Sequence, residues 1–265
     1  MARHAVLLTD FGLLDPYVGQ MKGMLLTHAP EARIVDLCHQ VEPYNILQAG
    51  FFLASSRSWF PEGTVFVSVV DPGVGGDRRI VLLEKFRQFF LAPDNGLLTF
   101  VLRHGGPSRV RDVTPPWRRD ASATFHGRDL FAPLAARLLN ETPPSHLGEE
   151  VNPHSLARLP GTEPGREDGT VSAMVLHVDR FGNCILNLET GEWGPILFKA
   201  NTPSLASPAC VPLVPALTYE KLGTDEIGVI KGSQGFLELS MNQQSAAARL
   251  GLKPGDGVTI HLEKR

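Results

Sequence analysis

The stretch TVFVSVV, residues 64–70, carries no charge and no regular alternation of polar with apolar side chains. A half-buried strand alternates; a run like this one suits a strand buried on both faces, as in a parallel sheet covered by helices. PEG precedes it and DPG follows it, and both are turn sequences. A chain organised around such a strand must also supply helices for two faces. The flanking sequence does so. HAVLLTDF and RIVDLC read as strands, with DPYVGQMKGMLLTHAP between them as a helix that has Asp15 as N-cap and Pro16 at its first helical position. NILQAGFFLASSRSWF reads as a second helix, RIVLLEK and RQFFLAP as paired strands, and PDNGLL as a turn before another apolar segment. RLLNETPP ends the last helix of this half.

The pattern then changes. NPHSLARLPGTEPGRED, residues 152–168, is rich in proline, glycine and charge, has no sustained period, and reads as a linker. Beyond Gly169 come closely spaced strand runs, TVSAMVLHVD, NCILNL, IGVIKG, GFLELSM and GVTIHLEK, with glycine-rich turns and no long helix. The expected fold class is therefore α/β. Residues 1–151 form an N-terminal layered domain with a mostly parallel sheet, and residues 169–265 form a smaller all-β domain, barrel or sandwich.

Composition excludes several classes. Lys+Arg 25 against Asp+Glu 28 leaves a net charge of -3 without a basic stripe, so nucleic acid is not an expected partner. The short basic cluster in PSRVRDVTPPWRRD is broken by prolines. Three cysteines, Cys38, Cys184 and Cys210, include no CxxC pair and specify neither a disulfide framework nor a thiolate zinc site. The N-terminal MARHAVLLTDFG has too short an apolar stretch for a signal peptide, and no run approaches a membrane span, so the expectation is a cytoplasmic protein without membrane association.

Three polar clusters fall where strands of the first half end, the usual place for a ligand in an open α/β sheet. TDFG puts Asp10 after the first strand, where it either closes a turn or grips the hydroxyls of a ribose. VVDPGVGGDRR delivers Asp71 into a glycine-rich loop followed by Arg78; it lacks the lysine and hydroxyl residue of a phosphate P-loop, and a plain hairpin is the simpler alternative. TFHGRDLFAP crowds His126, Arg128 and Asp129 before a run through Leu130, Leu134 and Leu138, where Asp129 is also suited to cap a helix. Asp10, Asp71, His126 and Asp129 together would suit a metal-dependent phosphohydrolase, although no local two-ligand signature supports that reading. In the second half, VDRFGN presents Asp179, Phe181 and Asn183 at a turn.

Taken in order, TDFG, DPYVG, MKG, VVDPGVGG with Arg78, APDNGLL, TFHGRDLFAP, VDRFGN and GSQGFLELSMN resemble the S-adenosylmethionine (SAM) hydrolase family, the SAM hydroxide adenosyltransferases, related to the fluorinase and chlorinase enzymes. The resemblance runs from Leu8 to about Gly255. It implies a C-terminal barrel and hydrolysis of SAM to adenosine and L-methionine by water attacking the ribose C5′, with no metal or other cofactor. It assigns Asp71, Arg78 and His126 to water activation and Asp10 to the ribose. Asp15, Asp179 and Ser233 would hold the amino-acid end, Phe181 and Asn183 the adenine, and the segment around Asn242 and Ala246 would present backbone to the adenine. Gln234 stands where the fluorinase has an arginine. The resemblance also implies a homotrimer with sites at subunit interfaces. The alternatives are a SAM-dependent halogenase and a module that binds adenosine or SAM without turnover.

Overall fold

The computed structural model describes residues 4–200 and 203–262. The chain divides after Leu159 into two compact units. The first contains β1 (His4–Thr9), α1 (Tyr17–His28), β2 (Arg33–Cys38), α2 (Ile46–Ser56), β3 (Val65–Val69), β4 (Ile80–Lys85), β5 (Gln88–Pro93), α3 (Thr99–Arg103), β6 (Ser108–Asp112), α4 (Ala132–Leu139) and β7 (Glu149–Val151). Its seven-stranded sheet has the order β2-β1-β3-β5-β4-β6-β7. The pairs β1–β2, β1–β3 and β3–β5 are parallel, whereas β4–β5, β4–β6 and β6–β7 are antiparallel.

β3 is buried along its whole length, as its unalternating sequence requires. Val65, Val67 and Val69 join a cluster with Met21 and Leu25 of α1 and with Leu134 and Leu138 of α4, while Phe66 stacks on Phe90 at a centroid distance of 5.0 Å. Elsewhere α2 and α3 pack together at Gly50, where a Cβ would lie 2.8 Å from the Leu97 carbonyl oxygen. α2 is capped by Asn45, whose side chain accepts the Gln48 N–H. α1 differs from expectation. Its N-cap residue is Pro16 rather than Asp15, with no side-chain cap, because the chain bends through residues 13–15 and turns helical only at Tyr17.

The second unit contains β8 (Gly165–Glu167), β9 (Thr170–Val178), β10 (Cys184–Glu189), α5 (Thr190–Leu197), β11 (Ser204–Ser207), β12 (Val211–Ala216), β13 (Ile227–Lys231), β14 (Phe236–Ser240), α6 (Ala246–Leu250) and β15 (Gly257–His261). The strand order is β10-β14-β13-β12-β11-β15-β9-β8, and an additional β9–β10 pairing closes seven of the strands into a barrel. This resolves the choice between barrel and sandwich. Leu186, Leu188, Leu213, Val229, Leu237 and Leu239 fill its interior. The segment at residues 152–168 holds a 3-10 turn at Pro153–Ser155 and the short strand β8, which pairs with β9.

Candidate active site

β3 ends at Val69, and Asn95 fixes the exit of the chain by donating its Nδ2–H to the Val70 carbonyl at 2.9 Å. Asp71 follows. Its carboxylate accepts Arg78 Nε–H at 3.1 Å on Oδ1 and 2.9 Å on Oδ2, with a further bond from Arg78 Nη2. The same Nη2 lies 2.7 Å from His126 Nδ1. One guanidinium therefore ties together residues from two loops 48 positions apart. All three side chains are nearly removed from solvent: Asp71 is 4% and Arg78 10% exposed, and His126 only 2%.

The pairing sets the tautomer. A guanidinium has no acceptor, so Arg78 donates and His126 Nδ1 receives, which leaves the ring proton on Nε2. Burial, followed by the charges of Arg78 and Arg118, holds the imidazole below the usual histidine range, against the weaker pull of Asp71 and Asp129. His126 is thus neutral at pH 7. Arg78 Nη1 is buried and has no hydrogen-bond partner among the described residues. A permanently charged donor without a partner is an arrangement suited to an oxygen that gains negative charge.

Glycine makes the loop possible. Gly75 has φ +81, and a Cβ there would lie 2.6 Å from the Ala123 carbonyl oxygen, so the loop after β3 rests directly on the segment leading to His126. Gly127 accepts the ring of Phe11, 3.1 Å from where its Cβ would be. Phe11, Tyr17 and Phe125 meet edge to face with centroids 5.2–6.2 Å apart, joining TDFG, DPYVG and TFHGRD. Asp10 accepts the Tyr44 N–H on Oδ2 at 2.9 Å. Asp15 is exposed and makes no hydrogen bond or ion pair among the described residues.

Asp129 is not a helix cap. It lies inside a π-helical turn, Gly127–Phe131, that leads into α4. Its carboxylate accepts Arg128 Nε–H at 2.6 Å and the Ser122 N–H at 2.9 Å, so the Arg128–Asp129 pair braces the segment carrying His126. The four candidate metal ligands, Asp10, Asp71, His126 and Asp129, are not assembled as a group: Asp71 and Asp129 face arginines and Asp10 an amide N–H. No three His, Cys, Asp or Glu side chains among the described residues form a metal-binding cluster.

In the second unit, Asp179, Phe181, Asn183, Ser233 and Asn242 line one cavity of about 800 Å³. Asp179 organises the β9–β10 turn: Oδ1 accepts the N–H groups of Phe181 and Asn183, and Oδ2 accepts Asn183 Nδ2–H, all at 2.9 Å. The Phe181 ring is 78% exposed. Ser233 is exposed on the β13–β14 turn, and Asn242 Nδ2 donates to the Leu222 carbonyl at 3.2 Å. Ala246 is fully buried at the start of α6, beside Ala247, whose N–H donates to Gly182. Among the lining residues that sequence reasoning missed are Tyr219 and Glu238, joined by a 2.6 Å hydrogen bond. The signal lies in FLELS: Leu237 and Leu239 fill the barrel, so Glu238 between them belongs to the opposite face.

Residues 5–148 match the SAM hydroxide adenosyltransferase N-terminal domain and residues 173–259 its C-terminal domain. A relative from Thermus thermophilus, described as an (R)-S-adenosyl-L-methionine hydrolase, is 38% identical, with 97% of this chain and 99% of that protein covered. A fluorinase from Actinopolyspora mzabensis is 28% identical, covering 96% and 95%. The crystal structure of an uncharacterized conserved protein from Thermotoga maritima superposes with a TM-score of 0.88 at 33% identity over 97% of this chain and 99% of that one.

Proposed function

Because the chain belongs to the SAM hydroxide adenosyltransferase family, we propose that Asp71, Arg78 and His126 activate the water that cleaves its substrate. The chain is an (R)-S-adenosyl-L-methionine hydrolase, which converts SAM and water to adenosine, L-methionine and a proton. The observation that carries the assignment is the Arg78 bridge between Asp71 and His126, with Nη1 left over.

The leaving group needs no help: the C5′–S bonding pair neutralises the sulfonium, and methionine departs as a thioether. Water is the weak partner, and it must meet C5′ in line with the departing sulfur. Arg78 Nη1 stabilises hydroxide character on the incoming oxygen. His126, with its proton on Nε2, orients the water as a donor. Asp71 is then the first acceptor of the proton released when the oxygen bonds to carbon, and passes it to solvent. Asp10 Oδ1, not engaged by Tyr44, takes a ribose hydroxyl. The exposed Phe181 ring offers a face to adenine, and Asn183 Oδ1 an acceptor to its amino group. Asn242 and the backbone at Ala246 frame the base. Asp15 and Ser233 take the amino-acid end, where Asp179 acts by holding the turn. Positioning of this kind can supply up to ~7–11 kcal/mol.

In the same reading the protein is cytoplasmic, which suits its three free thiols, and assembles as a homotrimer whose sites each draw on two neighbouring subunits. Sedimentation equilibrium tests the assembly: a mass of one chain would overturn it. The chemistry is tested by incubation with SAM in ¹⁸O-labelled water. Adenosine labelled at the 5′ oxygen beside unlabelled methionine is expected. A 5′-halogenated nucleoside in chloride buffer would instead mark a halogenase, and recovery of intact SAM a binding module.

A further inference from the structure

The TDFG loop is tied to a second loop at three points. Thr9 Oγ1 lies 2.8 Å from His39 Nδ1, the Gly12 N–H donates to the His39 carbonyl at 2.7 Å, and the Asp10 carboxylate accepts the Tyr44 N–H at 2.9 Å. Two of the three meet at one residue, His39, and they fall on either side of Asp10.

His39 is 4% exposed, and Thr9 is fully buried. His39 stands just beyond β2, where the register against β1 slips: Leu7 faces Asp36 but Leu8 faces Cys38, a bulge of the kind that re-aims a side chain. The ring Nε2 lies 3.0 Å from Asp36 Oδ1, and Asp36 Oδ2 accepts Lys22 Nζ–H at 2.6 Å. Burial raises the Asp36 carboxyl, but Lys22 and His39 outweigh it and hold the group below the usual carboxylate range. An ionised carboxylate has no proton to give, so in the neutral ring the proton sits on Nε2 facing Asp36, and Nδ1 accepts the Thr9 hydroxyl. The Thr9 oxygen in turn accepts the Phe11 N–H at 3.3 Å. The series Lys22–Asp36–His39–Thr9–Phe11 thus runs from α1 to the residue after Asp10.

Hydroxyl, imidazole and carboxylate in this order resemble a nucleophile with its base, yet Thr9 is sealed within β1 and no substrate can reach it. The series acts on the chain instead. We propose that His39 is a positioning residue for Asp10: through Thr9 and Gly12 it fixes the loop so that the Asp10 carboxylate meets the ribose hydroxyls, while Asp36 and Lys22 hold the ring. The assignment rests on the reading of the chain as a SAM hydrolase with Asp10 at the ribose.

The test reads the ribose directly. Calorimetry measures the affinities of adenosine and 2′,3′-dideoxyadenosine for wild type and variants. Wild type is expected to prefer adenosine by about tenfold or more, the range of a hydrogen bond to a charged group. Thr9→Val, which keeps shape and removes the hydroxyl, should lower that preference by about three- to tenfold, the range of one neutral hydrogen bond, and Thr9→Ser should restore it. His39→Leu should act as Thr9→Val does, and Asp36→Asn, at a partly exposed site, should shift the preference in the same direction. The decisive comparison repeats Thr9→Val in an Asp10→Ala background. A positioning role lowers adenosine affinity only where Asp10 is present, whereas general damage to the fold lowers it in both backgrounds. Equal losses in the two backgrounds would overturn the proposal. So would an unchanged preference in Thr9→Val or, should that variant not fold, in Asp36→Asn. Equal affinity of wild type for the two nucleosides would remove Asp10 from the ribose and the proposal with it, and no binding of adenosine at all would sink the hydrolase reading on which both rest.

Discussion

Arg78 donates to His126 Nδ1 across 2.7 Å while its other edge grips Asp71, so one planar side chain fixes the geometry of both neighbours. A lysine keeps the charge but not the fork. Arg78→Lys is expected to lower kcat for adenosine release by about 10²–10³-fold, the scale of losing one preorganised donor. KM should move little, because these contacts strengthen only as charge develops. A change confined to KM would contradict the role.

Asp71→Asn keeps shape and removes the carboxylate proposed as proton acceptor. The expected loss in kcat is about 10²–10⁴-fold. Because Asp71 and His126 are both bonded to the Arg78 guanidinium, the proposed role predicts that the double variant Asp71→Asn/His126→Ala costs much less than the product of the single effects. Steady-state kinetics on the four proteins decides this, and multiplicative losses would count against a shared unit.

The pH dependence has a definite sign. Unfolded histidine titrates near 6.5, and folded His126 is held lower by burial and by Arg78. Between the two values the unfolded chain binds more protons, so stability falls as pH is lowered from about 6.5 through the folded value. Protonation would also set an imidazolium against Arg78 and occupy the acceptor it uses. kcat/KM should accordingly show an acidic limb centred below pH 6.5. Melting temperatures measured between pH 7.5 and 5 should fall less steeply in His126→Gln than in wild type. An acidic limb centred above 6.5 would remove His126 from the mechanism.

Gly182 offers a structural test in the second unit. It has φ +86, and a Cβ would lie 2.1 Å from Ser245 Oγ and 2.7 Å from Ser245 Cα. Gly182→Ala should destabilise the protein by at least ~1–3 kcal/mol through backbone strain, with the clash added. Denaturant unfolding measures it. Adding Ser245→Gly should return part of the loss, since it removes Oγ and Cβ but not Cα. An undiminished midpoint in Gly182→Ala would show that the turn moves freely off α6.

Much of this was legible because charge and periodicity wrote it plainly. TVFVSVV announced a strand buried on both faces, and crowding of His126, Arg128 and Asp129 marked a place where packing alone does not call for three polar groups. What escaped had physical reasons. β12 contains Pro212 and Pro215, which count against a strand, yet it pairs in parallel with β13 and antiparallel with β11. β6 reads as a basic cluster because Arg109 and Arg111 flank the single buried Val110. The π-helical turn at Gly127–Phe131 leaves no periodic trace in five residues, so Asp129 looked like a cap. Glu238 was hidden by ordinary alternation, since FLELS differs from any half-buried strand only in what its polar face meets.

The pairing of β9 with β10 closes the barrel, and the hairpin that makes this closure also presents Phe181 and Asn183 to the cavity. Whatever binds there fastens the seam. Occupancy should therefore be felt far from the ligand as a slowing of amide exchange along the whole ring, from β9 round to β10, because the ring cannot breathe at that seam without first releasing what the turn holds.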